Sequence, residues 1–355
     1  MINKFIGEQL AEWQTAADNF EALKGVKVKE LDVDGMKIKV QFNPARIISS
    51  SAKVDAKSLA ERKCFLCAEN RPSVQRGIEW GNGYIVLINP FPIFPRHLTI
   101  PDMGHVDQLI KGRIADMMSL AKELDEYTVF YNGPKCGASA PDHMHFQAGN
   151  SDFLTIGEAL DGAELKTVAT DGDAVLAVCD TLPLNVFVID SNDPQAGERL
   201  FDRLYDAIPV PEGEKEPMMN LLCYATPAGV RLVVIPRKQH RPSFYGTEGD
   251  DKMLLSPASV DMGGVFITPL EKDFNKLDAE LVKVIFNELC LGELKETSKA
   301  AFVKEIDKLA EQGAEGVILG CTEIGLLIKQ EDVKIPVFDT TLIHATKAAE
   351  MALEG

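Results

Sequence analysis

A chain of 355 residues has room for about two domains of ~100–200 residues, and 45% hydrophobic with 26% charged residues is the balance of an ordinary globular protein, neither disordered nor collagenous. A net charge of −17 weighs against an electrostatic grip on nucleic acid or an anionic membrane, because that affinity comes from clustered Lys and Arg. No apolar run approaches the ~18–20 residues of a membrane span, the first residues lack a signal-peptide core, and seven scattered cysteines do not make a disulfide framework; a cytoplasmic protein is expected.

Leu10, Trp13, Ala16, Ala17, Phe20 and Leu23 recur at helical spacing over residues 7–24, and Met36, Ile38, Val40 and Phe42 then alternate with Lys37, Lys39 and Gln41 as in a half-buried strand. Strand-like runs follow at Tyr84–Ile88 and His97–Ile100, then a helical stretch at Val106–Leu124, then strands at Thr128–Tyr131 and His143–Ala148 around a Gly-containing turn. The second half repeats the order with a helix near Ala196–Ala207 and strands at Asn220–Tyr224 and Val230–Ile235, so two copies of one α+β unit are expected. Where the first copy has His143 and His145, the second has apolar residues such as Val233 and Ile235, and only one copy can do histidine chemistry. All eleven arginines lie between Arg46 and Arg241. From about Leu277 the pattern is helix–strand–helix: a helical run at Phe302–Gln312 capped by Gly313, a buried strand at 316–321, another at Ile335–Phe338, and a terminal helix from Leu342.

In Asp142-His143-Met144-His145-Phe146-Gln147, a strand's period of two puts His143, His145 and Gln147 on one face and Met144, Phe146 and Ala148 on the other. Just upstream, Asn132-Gly133-Pro134-Lys135-Cys136-Gly137-Ala138-Ser139 is a Gly-rich turn whose N–H groups, with Lys135 and the Ser139 hydroxyl, suit phosphate oxygens. Two histidines at this spacing also occur on merely solvated faces; the neighbouring turn favours a site. Arg237, Lys238, His240 and Arg241 make the densest basic cluster of the second copy, which suits phosphate but is also the pattern of a solvated strand end. Cys64-Phe65-Leu66-Cys67 is half of a tetrahedral zinc site. A redox pair, which would want a thioredoxin-like context not visible here, and two buried thiols are the alternatives.

The run Ser139-Ala140-Pro141-Asp142-His143-Met144-His145-Phe146-Gln147 resembles the active-site strand of the histidine-triad superfamily. With Asn89-Pro90-Phe91-Pro92-Ile93-Phe94-Pro95-Arg96-His97-Leu98 it is similar to the tandem-repeat nucleotidyltransferases: galactose-1-phosphate uridylyltransferase, diadenosine tetraphosphate phosphorylase and GDP-L-galactose phosphorylase. More narrowly, residues 1 to about 276 resemble a Bacteroidetes family of such phosphorylase-like proteins. The resemblance implies an α+β domain over 1–276 made of tandem histidine-triad-like antiparallel-sheet repeats. It implies that His145 attacks an α-phosphorus and passes the nucleotidyl group on, so that one hard displacement becomes two. Gln147 would hydrogen-bond the nucleotidyl phosphate, and Lys135 and Ser139 would stabilise charge on the leaving group; Arg237 and Arg241 are the phosphate-binding candidates of the basic cluster. Asp142 lengthens the Ser-to-His spacing by one residue relative to the uridylyltransferase pattern. In the zinc-containing uridylyltransferases the remaining two ligands fall at positions matching His105 and His143, so the resemblance implies a closed structural zinc site of Cys64, Cys67, His105 and His143, with His97 competing for the place of His105.

Residues from about Leu281 resemble a second family. Ile285-Phe286-Asn287-Glu288-Leu289-Cys290-Leu291-Gly292, Gly313 to Ile324 and Phe338 to Ala345 look like the last third of an aspartate/glutamate racemase. Those enzymes move a Cα proton with two cysteines from two lobes; Cys321, with Thr322, Glu323 and His344, matches the second lobe, and nothing in residues 1–280 resembles the first. Residues 277–355 are therefore expected to be a partial α/β racemase-like segment. The expected function is a nucleotidyltransferase or phosphorylase acting on a nucleoside-diphosphate sugar or dinucleoside polyphosphate, with phosphate or a sugar phosphate as acceptor and zinc as the metal. No nucleic acid and no membrane are expected as partners, and a homodimer is left open. The alternatives are an amino-acid racemase using Cys321 and a non-catalytic nucleotide-binding protein.

Overall fold

The computed structural model describes residues 2–47, 56–81, 83–246, 252–291, 296–319, 328–340 and 343. The amphipathic N-terminal run forms two helices, α1 (Ile2–Glu12) and α2 (Gln14–Ala22), because Trp13 between them adopts extended backbone, φ −115° and ψ 91°. Strands β1 (Lys27–Val33) and β2 (Met36–Phe42) follow as a hairpin. Its turn, Asp34-Gly35, has both residues at positive φ, 50° and 86°. Asp-Gly is a favoured pair for such a turn, and it marks β1, which hydrophobic alternation alone does not reveal. A short helix α3 (Ala56–Glu61) leads to the Cys64–Cys67 knuckle.

The main sheet is antiparallel throughout. Its first half comprises β3 (Ile78–Trp80), β4 (Tyr84–Ile88), β5 (His97–Pro101), helix α4 (Ile114–Glu123), β6 (Tyr127–Asn132) and β7 (His145–Asn150). After a short helix α5 (Ile156–Asp161), its second half comprises β8 (Lys166–Asp171), β9 (Ala174–Cys179), β10 (Val186–Ser191), helix α6 (Pro194–Ala207), β11 (Met219–Thr226) and β12 (Gly229–Pro236). The strand order, β3-β4-β5-β7-β6-β11-β12-β10-β9-β8, is one unit followed by its mirror image, joined where β6 pairs with β11. The repeat read from the sequence is thus two equivalent units, and β12 carries buried Val233 and Ile235 and no histidine.

Two sequence expectations shift in register. The helix expected from Val106 begins only at Ile114, since Gly112 at φ +76° breaks the chain's path, and the stretch before it runs irregularly beneath β7. The strand expected from His143 begins at His145; His143 sits in a turn whose N–H bonds the Ala140 carbonyl at 3.2 Å.

One face of the sheet is covered by α4 and α6 over a core drawn from both halves, including Ile100, Tyr131 and Phe146 of the first and Leu200, Leu221 and Val234 of the second. Against the other face lie β2, a short helix α7 (Ser259–Met262) and β13 (Val265–Thr268), which pairs in parallel with β2. Helix α8 (Glu271–Lys276) then leads to α9 (Ala279–Phe286), whose Val282, Ile285 and Phe286 are fully buried in this second core. The segment from Leu277 to Cys290 therefore packs with the residues before it. Helix α10 (Glu296–Glu311) ends at Gly313, φ +100°, and β14 (Val317–Leu319) pairs in parallel with β15 (Val337–Asp339) over a small cluster of Ile306, Leu319, Ile328 and Val333. The strand expected to be buried at 316–321 is only partly so: Ile318 is 71% exposed. Cys321, Thr322, Glu323 and His344 lie outside the described residues, as does the terminal helix expected from Leu342 apart from Ile343. Among the described residues no helix is long and apolar enough to cross a membrane.

Candidate active site and metal centre

Alternation along β7 sends Phe146 and Ala148 into the helix-covered core, which leaves His145 and Gln147 on the opposite face. A cavity of about 680 Å³ opens over that face. Polar groups from neighbouring strands, Asn89, Thr99 and Asn132, line it beside His145 and Gln147, and Trp13, Phe65 and Phe91 give it apolar wall. Arg46, Ser139, His240, Arg241 and Asp261 line it as well.

His145 is fixed on three sides. Its N–H donates to Gln108 Oε1 at 2.7 Å, and its carbonyl accepts from Gln108 Nε2 at 3.1 Å, so one carboxamide grips the backbone of the residue at both ends. Its ring Nδ1 lies 2.8 Å from the His143 carbonyl. A carbonyl only accepts, so Nδ1 carries the proton and Nε2 holds a bare lone pair. Among the described residues Nε2 has no protein partner. Burial pushes the imidazole down to about 4, so the ring is neutral and its lone pair available near neutral pH.

Gln147 is held through its oxygen. His97 Nδ1 accepts the Ile93 N–H at 3.1 Å, so its proton lies on Nε2, which donates to Gln147 Oε1 at 3.0 Å. Asn89 Nδ2 adds a second donor at 3.4 Å. With the oxygen occupied, the Gln147 amide NH₂ is the end left to donate to a ligand. Burial, then the Arg46 charge, drive His97 down to about 3, which keeps this tautomer neutral.

The expected phosphate-binding residues divide. Ser139 and Arg241 line the cavity; Arg241 donates to Ser256 Oγ at 3.1 Å and stacks 4.0 Å from the Tyr245 ring centroid. Lys135 is half-exposed beside Glu214, 3.8 Å away, and does not line the cavity. Arg237 is buried and turned inward: it donates to Asn220 Oδ1 at 2.6 Å and to the carbonyls of Pro257, Gln239 and His240. It shapes a loop and does not face the cavity. Arg46, which the sequence did not single out, supplies a cationic lining group on a turn after β2; it donates to the Phe91 carbonyl at 2.6 Å, and burial lowers it to about 10. Asn89 stood in the Asn89-to-Leu98 run but was given no role, and Thr99 and Gln108 were unmarked, being single polar residues in no recognisable motif.

Behind His145, four donor atoms converge. The Sγ atoms of Cys64 and Cys67 and ring nitrogens of His105 and His143 all lie within 4.8 Å of one another. Cys64 Sγ is 3.3 Å and Cys67 Sγ 3.6 Å from His143 Nδ1, and Cys67 Sγ is 3.2 Å from His105 Nδ1. With metal bonds of ~2.0–2.3 Å, the edges of a tetrahedral zinc site are roughly 3.3–3.8 Å, so these separations fit a Cys₂His₂ metal site. His143 Nε2 donates to the Asp102 carbonyl at 2.8 Å, which leaves Nδ1 bare and aimed at the sulfurs. Burial and the neighbouring Cys64 push the Cys67 thiol up to about 11; a bound cation would reverse that by stabilising the thiolate. His97, the competing candidate, stands on β5 opposite Gly149, toward the far end of β7, where it holds Gln147. Asp142, the extra residue before the histidines, bonds Arg62 at 2.6 Å and so ties this turn to the cysteine knuckle.

Residues 5–150 match a family model described as a domain of unknown function (DUF4922), and residues 268–348 match the Asp/Glu/hydantoin racemase family model. The solved yeast Ap4A phosphorylase Apa2 superposes with a TM-score of 0.52 at 19% identity, covering 78% of this chain and 96% of that one. The same yeast enzyme in complex with AMP gives 0.50 at 20% identity, covering 79% and 96%. A candidate Asp/Glu racemase from Yersinia pestis is 40% identical over 32% of this chain and 46% of its own, with a TM-score of 0.21. The chain thus shares the α+β fold of yeast Ap4A phosphorylase over most of its length, and its residues 268–348 match the Asp/Glu/hydantoin racemase family model.

Proposed function

We propose that this chain is a nucleotidyltransferase of the phosphorylase kind in which His145 carries the nucleotidyl group. The observation behind the reading is the bare Nε2 of a neutral, doubly anchored His145 in a cavity that also presents the Gln147 amide and the cations of Arg46 and Arg241. In the first displacement Nε2 attacks the α-phosphorus, a P–N bond forms and the P–O bond to the leaving phosphate breaks. Positive charge that develops on the ring is met through Nδ1–H by the His143 carbonyl. In the second, an oxygen of phosphate or a sugar phosphate attacks the same phosphorus, the P–N bond breaks, and the imidazole lone pair is restored. Gln147 donates to a non-bridging oxygen; Ser139 and Arg241 hold the departing or entering phosphate, with Arg237 shaping the loop. The substrate class is a nucleoside-diphosphate sugar or a dinucleoside polyphosphate, whose base would rest on the Trp13, Phe65 and Phe91 wall.

Cys64, Cys67, His105 and His143 would hold a structural zinc, which when bound would fix the knuckle and the His143 turn in place. The test is incubation with a panel of nucleotide sugars and dinucleoside polyphosphates, with and without phosphate, read by intact mass. A nucleotidyl adduct on the peptide containing His145, discharged by phosphate, is expected. No adduct and no product from any member of the panel would defeat the reading.

A further inference from the structure

The wall of the cavity that carries His240 and Arg241 is an irregular loop after β12, and a loop holds its side chains in place only if its backbone polar groups are tied down. From below, Arg237 bonds the carbonyls of Gln239 and His240, both at 3.0 Å. Beside the Arg241–Ser256 bond, further ties come from the segment that matches the racemase family. Lys238 N–H donates to the Leu289 carbonyl at 2.7 Å. Ser243 donates twice to the Glu288 carboxylate, from its backbone N–H and from its hydroxyl, both at 2.9 Å. Glu288 is 1% exposed, and the residues around it on α9 and the following turn are buried in the second core.

We infer that Glu288, contributed by the racemase-like segment, is a positioning residue for the His240–Arg241 wall of the nucleotidyl-transfer cavity. Its two acceptor oxygens pin Ser243, two residues beyond Arg241, while Leu289 pins Lys238 two residues before His240. The loop is thereby stapled on both sides of the two residues that face the cavity. The consequence is that the tail acts in the first domain's chemistry without using any racemase chemistry of its own. His240 reports the arrangement: burial, then the charges of Arg241, Arg237 and Lys135, push it down to about 4, and a released loop would lose that environment.

The inference rests on the reading of the cavity as a nucleotidyl-transfer site, and the test separates the two. Full-length Glu288→Ala, Glu288→Gln and, as a control on exposed α9 surface, Glu280→Gln are compared by steady-state kinetics with inorganic phosphate as acceptor and by NMR titration of the histidine side chains. Glu288→Ala should raise the KM for phosphate about tenfold while kcat changes less than about threefold. Glu288→Gln, which keeps one acceptor oxygen, should fall between, and Glu280→Gln should match the parent. In Glu288→Ala the His240 titration should move up toward the ordinary imidazole value of ~6.5, with His145 unmoved. If no nucleotide is transferred even by the parent, the functional reading fails alone and the titration still judges Glu288. Should the alanine variant not fold, Ser243→Ala removes the hydroxyl bond of the pair from the loop side and is expected to shift the KM and the His240 titration in the same directions by a smaller amount. An unchanged KM together with an unchanged His240 titration overturns the inference.

Discussion

The backbone carbonyl of His143 accepts a hydrogen bond from Nδ1 of His145 at 2.8 Å, while the ring of His143 points its own Nδ1 at Cys64 and Cys67. One residue therefore faces the Cys₂His₂ cluster with its side chain and orients the proposed nucleophile with its main chain. His145→Ala should remove the covalent adduct and lower transfer by on the order of a thousandfold or more, with the far-UV spectrum unchanged, since the ring faces the cavity. Added imidazole should partly restore His145→Gly, because the missing group is a small diffusible nucleophile. A fully active alanine variant would end the covalent mechanism.

Elemental analysis should find about one zinc per chain. Cys64→Ser and His105→Ala should lose it and unfold at lower temperature, since metal binding and folding are coupled. His97→Ala should keep the metal and instead slacken Gln147, lowering kcat. Equal metal content in the His105 and His97 variants would contradict the geometry.

For pH dependence the sign follows from a depressed histidine. His145 titrates near 4 in the folded chain, below its ordinary value of ~6.5, so its neutral form persists in acid. The rate of adduct formation should hold steady down to about pH 5 and fail only below it, with no loss centred at ~6.5. Because the unfolded chain takes up the proton first, the associated stability is complete above ~6.5 and is lost as pH falls toward 4. His145→Asn should flatten the stability profile in that window; an adduct rate already halved at pH 6.5 would contradict the assignment.

Gln108 bonds both backbone groups of His145 and also donates to the Asn132 carbonyl at 3.0 Å. Gln108→Leu removes all three bonds, and each buried group it leaves unpaired costs about 1–3 kcal/mol. The expected outcome is a clear drop in thermal midpoint and a fall in kcat larger than the change in KM. A neutral Gln108→Leu would show that the strand alone holds His145.

Racemisation needs one base to take the Cα proton and another to return it from the opposite face. Only Cys321 matches a racemase base in this sequence, so no exchange of the α-proton of aspartate or glutamate with deuterated water is expected. Exchange abolished by Cys321→Ser would reverse this. A cut at Leu277 removes Val282, Ile285 and Phe286 from the core. At ~1.5–3 kcal/mol for each buried side chain, the loss rivals the whole stability of a domain, so an insoluble product is expected. A cut after Leu291 keeps these side chains and should leave a soluble chain.

That His145 and Gln147 share one cavity face was legible because one strand presents them, two residues apart in a motif with a fixed period. The two-unit sheet was legible for the same reason, through matching runs of helix and strand. What escaped is what sequence distance hides. Arg46 reaches the cavity from a turn almost a hundred residues before His145, and Gln108 sits in a stretch that reads as helix until Gly112 breaks it. Residue type also misled: Arg237 has the right chemistry for phosphate, yet its guanidinium is occupied by loop carbonyls, and only the fold decides which way it points.

The seam at β6 and β11 has a consequence for how the molecule comes apart. Five residue pairs, Asn220 with Asn132 through Tyr224 with Thr128, stitch the halves into one sheet, and the helix-side core draws side chains from both. Neither half owns a finished edge or a finished interior. Cleaved between β7 and β8, each fragment would bare a central strand ready to pair with any other, and the fragments should recombine with one another or aggregate. In the intact chain the halves should melt in a single transition, followed as one event by hydrogen exchange on β6 and β11.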